Sequence, residues 1–178
     1  MSKVLLHACC AVCASWCVIK LKQDGFEPIV YFYNPNIEPI KEYNIRLNEL
    51  IEYSKKENFK LIIGDWENDI YKEKIKGLEH CQEKGARCIE CFKLRFEKTA
   101  KLAQNLKINN ICTTLTISPH KVSKDIFREL ETSAQKYNLK ALLYDFKKQD
   151  GFKKAQIIAK ENNMYKQTYC GCVYSIRT

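Results

Sequence analysis

Glycine and proline are scarce in this chain, six and four in 178 residues, and no glycine precedes Gly25. A backbone cradle for phosphate after the first strand needs glycines there, so the usual nucleotide-binding loop is excluded. No apolar run approaches the roughly 18 residues of a membrane span. Ahead of the first cysteines stand only one lysine and Val4-Leu5-Leu6, too little for the roughly 7 to 15 apolar residues of a secretory segment. Leu6-His7-Ala8-Cys9 is therefore not read as a lipoprotein cleavage site, and a cytoplasmic protein is expected. His7, His80 and His120 share no ligand spacing, which excludes a histidine-based metal motif and leaves them structural. There is no internal repeat, low-complexity tract or interdomain linker, so residues 1–178 are expected to form one catalytic domain. A chain this long buries about 70% of its unfolded surface and needs no disulfides to fold.

Basic residues and cysteine are abundant instead. Thirty Lys and Arg against 21 Asp and Glu leave a net charge of +9. That surplus suits a polyanionic partner such as nucleic acid, although scattered lysines also describe an ordinary solvated surface. Ten cysteines in a chain of this size, outside the secreted class, point to metal ligands or redox thiols more than to structural bridges.

Strand and helix signals alternate. Residues 3–8 read as a buried strand and 14–22 as a helix; 28–33, rich in β-branched and aromatic residues, form a second strand closed by Asn34-Pro35-Asn36. An amphipathic helix over 39–58 leads to a third strand at 59–63, then a short helix over 67–76. An irregular cysteine-bearing segment follows, around 77–92. A helix over 92–106, a strand at 109–115, a helix over 125–137 capped by Ser123, a strand at 140–144 and a helix over 151–162 complete the pattern. The expected fold is α/β, a mostly parallel five-stranded Rossmann-like (HUP-like) sheet flanked by helices. Ligands of such sheets bind at the strands' carboxyl ends, where Cys9, Cys10, Asn34, Thr113, Thr114 and Asp145 would meet.

Cys88-Ile89-Glu90-Cys91 and Cys10-Ala11-Val12-Cys13 are both Cys-x-x-Cys, the local spacing that serves one metal centre or a redox disulfide. A four-cysteine zinc site from these pairs is formally available, but about seventy-five residues separate them. The adjacent Cys9-Cys10 suits a polynuclear cluster, whose several metals offer separate attachment points. In Cys170-Gly171-Cys172, glycine permits the backbone contortion of a strained, reducible ring. Cys17, Cys81 and Cys112 lack close partners and read as small core residues. Tyr165 and Tyr169 could donate a proton or stack on a base, and equally could cap a core edge. Asp145, at a strand exit, could bind iron or pair with Lys147 or Lys148.

Six motifs run in order from residue 7 to residue 172: His7-x-Cys9-Cys10-Ala11-x-Cys13, Tyr33-Asn34-Pro35-Asn36-Ile37, Gly85-x-Arg87-Cys88-x-x-Cys91-Phe92, Thr113-Thr114-Leu115-x-x-Ser118-Pro119, Asp145-Phe146-x-Lys148 and Tyr165-x-Gln167-x-Tyr169-Cys170-Gly171-Cys172. Together they resemble the QueH-type, cobalamin-independent epoxyqueuosine reductases. The resemblance implies an oxidoreductase that reduces the epoxide of epoxyqueuosine, at the wobble position of tRNA with a GUN anticodon, to queuosine. It implies a 4Fe-4S cluster on Cys9, Cys10, Cys88 and Cys91, and a redox-active pair at Cys170 and Cys172. It also implies a neighbouring mononuclear iron, for which Cys13 and Asp145 are candidate ligands, and an electron donor of unknown identity. Val12 stands where proline is usual and Lys147 where arginine is common. Two rival readings share some of these features: an iron-sulfur tRNA thiolase, which the missing glycine loop disfavours, and a zinc-stabilised nucleic-acid-binding module.

Overall fold

The computed structural model describes residues 1–176. Its centre is β1 (Ser2–Ala8), whose Val4 to Ala8 are all buried because the aliphatic run must be covered on both faces. Parallel neighbours cannot be joined by tight turns, so helices make the connections. α1 (Ala11–Gln23) leads to β2 (Phe26–Phe32), and α2 (Ile40–Lys56) to β3 (Lys60–Ile63). α3 (Asn68–Lys74) and α4 (Ala86–Asn105) precede β4 (Asn110–Thr113), and α5 (Ser123–Lys136) precedes β5 (Lys140–Ala141). α6 (Gly151–Glu161) packs back on α1 and hands the chain to the cysteine-bearing tail. The sheet order is β3-β2-β1-β4-β5, every pair parallel, as expected from the sequence. Successive strands move one way from β1, and then the chain returns to its other side for β4. The carboxyl ends of β1 and β4 therefore flank the switch point at which such sheets bind ligands.

Several boundaries differ from the sequence pattern. β4 stops at Thr113, because the Thr113 hydroxyl accepts the Leu115 N–H at 3.2 Å and draws Thr114–Ile117 into a 3-10 turn. β5 has two residues rather than five: after the Leu142 N–H bonds Ile111 O at 2.9 Å, the Tyr144 N–H turns back to Leu142 O at 3.0 Å. α1 begins at Ala11, with Cys13 in its first turn. α4 begins at Ala86, so Cys88 and Cys91 sit on a helix and not in the irregular segment. Ser123 does not cap α5; its hydroxyl donates to Asp145 Oδ1 at 3.0 Å. Among the described residues, no helix is long and apolar enough to cross a membrane.

Candidate functional site

The turn from β1 into α1 carries the first three thiols. Cys10 is the N-cap, and its sulfur takes the Cys13 N–H at 3.4 Å, as a serine oxygen would at a helix start. Cys9 Sγ lies 3.9 Å from Cys10 Sγ, and the sulfurs of Cys9, Cys10 and Cys13 all fall within 4.8 Å of one another. Among the described residues this is the one group of three or more metal-binding side chains so closely gathered. The Cys9 thiol is held well below its ordinary range, by hydrogen bonds from Cys10 and Cys13 and then, against burial, by the charges of Arg95 and Arg46.

Arg95, buried on α4, joins this turn to its surroundings. Its Nε donates to His7 Nε2 at 3.2 Å, one Nη donates to Asn34 Oδ1 at 2.6 Å, and the other reaches Cys91 Sγ at 3.9 Å. Asn34 in turn donates to Ala8 O at 2.9 Å, which fixes the exits of β1 and β2 to each other. His7 is kept neutral, its pKa lowered to about 3 by burial and by Arg95. Among the described residues Arg95 pairs with no carboxylate. Its direct partners are His7, Asn34 and Cys91, and its charge favours the thiolate forms of Cys9 and Cys170.

Cys88 and Cys91 lie on the first two turns of α4, and Cys88 Sγ takes the Lys84 N–H at 3.3 Å. They line a narrow cavity of about 20 Å³ together with Cys170 and Cys172. All four are free thiols. The tail pair is unequal. Cys170 Sγ lies 3.1 Å from Lys121 Nζ, whereas Cys172 Sγ accepts the Tyr71 hydroxyl at 3.1 Å. Burial alone would raise the Cys170 thiol, but Lys121 and Arg95 outweigh it and hold Cys170 below its ordinary value. Burial pushes the Cys91 thiol up to about 11, against the pull of Arg95.

Arg46 on α2 holds the tail against the sheet. Its guanidinium donates to Cys170 O and Tyr169 O, both at 3.1 Å, and to Glu42 Oε1 at 2.7 Å. The second Glu42 oxygen accepts the Tyr165 hydroxyl at 2.8 Å. Gly171 adopts φ +114°, where an added Cβ would lie 2.8 Å from Ile37 and 3.3 Å from Arg46. Further back in the tail, Gln167 Nε2 donates to Cys10 Sγ at 3.2 Å and stands 4.0 Å from Cys13 Sγ. The last motif of the sequence is thereby delivered onto the first.

A larger cavity of about 370 Å³ opens above these groups, with Cys9, Cys13 and Cys170 among its lining and Leu115, Ile117 and Pro119 as apolar wall. Tyr169 borders it, but its hydroxyl donates to Glu38 O and the Arg46 guanidinium covers its ring at 5.4 Å. Asp145 is not brought to the thiols. It lies beyond the shortened β5, accepts from Ser123 and lines a separate groove with Trp16 and Phe127, so its placement at the thiol rim is corrected. Glu83, from the irregular segment, is the carboxylate that borders both thiol cavities. Sequence reasoning also missed Arg46, Arg95 and Lys121, and gave the motif residue Gln167 no role. One signal was present: only five arginines stand among 30 basic residues, and Arg46, Arg87 and Arg95 are each 1% exposed. In a lysine-rich chain, the rare planar cations mark buried positions with several partners. Lys147, where arginine was the commoner residue, donates to Lys121 O at 2.9 Å and steadies the residue whose ammonium meets Cys170.

A parallel α/β sheet that gathers thiols and buried cations around its switch point has the donor groups of an oxidoreductase. The chain belongs to the family described as epoxyqueuosine reductase QueH, whose model matches residues 4–178. It is 38% identical to the epoxyqueuosine reductase QueH of Haemophilus influenzae, over 99% of this chain and 72% of that protein. It is likewise 38% identical to the QueH of Acinetobacter baylyi, over 98% and 81% respectively. In fold it is similar to the U34-tRNA thiolase NcsA from Methanococcus maripaludis with its [4Fe-4S] cluster, at TM-score 0.62 and 12% identity, over 99% of this chain and 62% of that one. A predicted subunit of tRNA methyltransferase from Methanocaldococcus jannaschii matches at TM-score 0.61 and 17% identity, over 90% and 75%.

Proposed function

We propose that this oxidoreductase converts the epoxide of epoxyqueuosine, at the wobble position of tRNA with a GUN anticodon, into the alkene of queuosine. The observation that carries the reading is the convergence of five cysteines and the Cys170/Cys172 dithiol around Arg95 and Lys121, beside a cavity large enough for a base. The reaction consumes two electrons and two protons, breaks both epoxide C–O bonds and releases water. Oxidation of one dithiol to a disulfide supplies both electrons and both protons. An external reductant then restores the pair.

The donor set fits an iron-sulfur group. Three thiols already lie within 4.8 Å, and the buried Arg46 and Arg95 offset the charge that thiolates carry. Cys9, Cys10, Cys88 and Cys91 would hold the 4Fe-4S cluster, with Cys13 beside it as a candidate ligand of a further iron. Such a centre supplies one-electron transfer and Lewis acidity. The chain's own groups do the rest. Lys121 keeps Cys170 as the more reactive sulfur, Tyr71 hydrogen-bonds Cys172, and the apolar wall excludes water from the reacting carbons. Gln167 ties the tail to Cys10 through its side-chain amide. The basic surface serves the tRNA phosphates, and the target base leaves its stack to enter the cavity.

Anaerobic reconstitution with iron and sulfide, followed by incubation with epoxyqueuosine-containing tRNA and mass analysis of its nucleosides, tests this reading. Loss of one oxygen from the modified nucleoside is expected. Retention of that oxygen by a protein with an intact, reducible cluster would refute it. Metal content distinguishes the zinc module, which would hold zinc without iron or acid-labile sulfide. The thiolase reading is weakened by the turn itself, where thiols replace a glycine-rich phosphate loop and the Cys13 N–H is already bonded to Cys10.

A further inference from the structure

Phe152 is a large apolar side chain left 39% exposed, and it stands among the residues lining the 370 Å³ cavity. It occupies the first turn of α6, with Gln156 one turn later on the same face and also in the lining. The turn is held rigidly. An added Cβ on Gly151 would lie 1.7 Å from Phe146 O, so the helix start is pressed against the chain that precedes it. Deeper in the cavity, Gln167 points its buried Oε1 at no partner, while its Nε2 is spent on Cys10. An exposed ring at the mouth and an unmet acceptor beside the thiols together suit a flat heterocycle that bears N–H donors.

Resting on the tRNA reading above, we infer that Phe152 is the stacking platform for the extruded target base, and so a specificity-determining residue of the reaction. Tyr169, the other phenyl-type ring of the lining, is already covered by Arg46 and tethered through its hydroxyl. Phe152 carries neither restraint among the described residues. It sits beside exposed Lys153, and exposed Lys166 is also in the cavity lining, cations suited to the phosphates that flank a base.

The test measures steady-state kinetics and equilibrium binding of an anticodon stem-loop carrying epoxyqueuosine, using reconstituted wild type and four variants. Phe152→Ala and Phe152→Leu should each weaken stem-loop binding and raise KM by about 5- to 150-fold, the range for one lost base–aromatic stack, with kcat changed much less. Phe152→Trp should bind within about threefold of wild type, since any π-face serves. Ile157→Ala, exposed on the same helix and outside the cavity lining, should match wild type. A Phe152→Leu protein with wild-type KM, or a Phe152→Trp protein as weak as Phe152→Ala, overturns the platform while the reaction stands. Selective loss of binding in the Ala and Leu variants of a protein that leaves the nucleoside unreduced would support the platform and overturn the reaction.

Discussion

Substituting Gly171 by alanine should disable the tail while leaving the sheet intact. Gly171 holds φ +114°, a region that residues with a Cβ adopt only under strain, at about 1–3 kcal/mol. The new methyl would also approach Ile37 Cγ1 to 2.8 Å, and overpacking of that kind costs about 1–3 kcal/mol. The sum, roughly 2–6 kcal/mol, competes with what fastens the tail there: two guanidinium bonds from Arg46 at 3.1 Å and the Glu38 N–H to Gly171 O at 2.9 Å. Those bonds are worth a comparable amount, so the cheapest relief is local release of residues 169–172 rather than unfolding of the domain. Two assays separate the outcomes. Hydrogen exchange followed by mass spectrometry should show faster exchange in the tail peptide and little change in β1 and β2. Multiple turnover should fall at least tenfold. A variant with wild-type turnover and an equally protected tail would refute the argument that glycine is required between the two cysteines.

Further outcomes follow from the same geometry. Replacing both Cys170 and Cys172 by alanine should abolish multiple turnover; an unchanged steady-state rate excludes the dithiol relay. Lys121→Met removes the cation beside Cys170, whose thiol should then titrate at higher pH, so alkylation of the Cys170 peptide at neutral pH slows and recovers as pH rises. An unmoved pH profile would show that Lys121 does not tune this sulfur. Glu42→Gln leaves the Arg46 charge buried without its 2.7 Å carboxylate partner, and urea unfolding should report a loss of about 3–5 kcal/mol, since both side chains are at least 91% buried. Affinity for tRNA should fall steeply between 50 and 200 mM salt, as phosphate contacts by several lysines require; a flat response would remove the electrostatic component.

The primary structure by itself determined the alternating strands and helices, the parallel sheet that such alternation demands, and the absence of a phosphate cradle after β1. Those properties are local: they depend on residue types within one element and on the scarcity of glycine. Motif order also carried the family likeness and the thiols worth following. Cys13 joins Cys9 and Cys10 locally, because Cys10 starts α1 and folds its own sulfur back onto the first helical turn. Tertiary structure decided which distant thiols approach that turn. Asp145 was lost from the rim because β5, an edge strand bonded on one side only, ends after two residues. Lys121 and Cys170 lie 49 residues apart, and Arg46 and Cys170 lie 124 apart. Contacts at such separations leave no periodic trace in sequence, because they arise only when the crossovers have stacked the helices and the tail closes over the switch point.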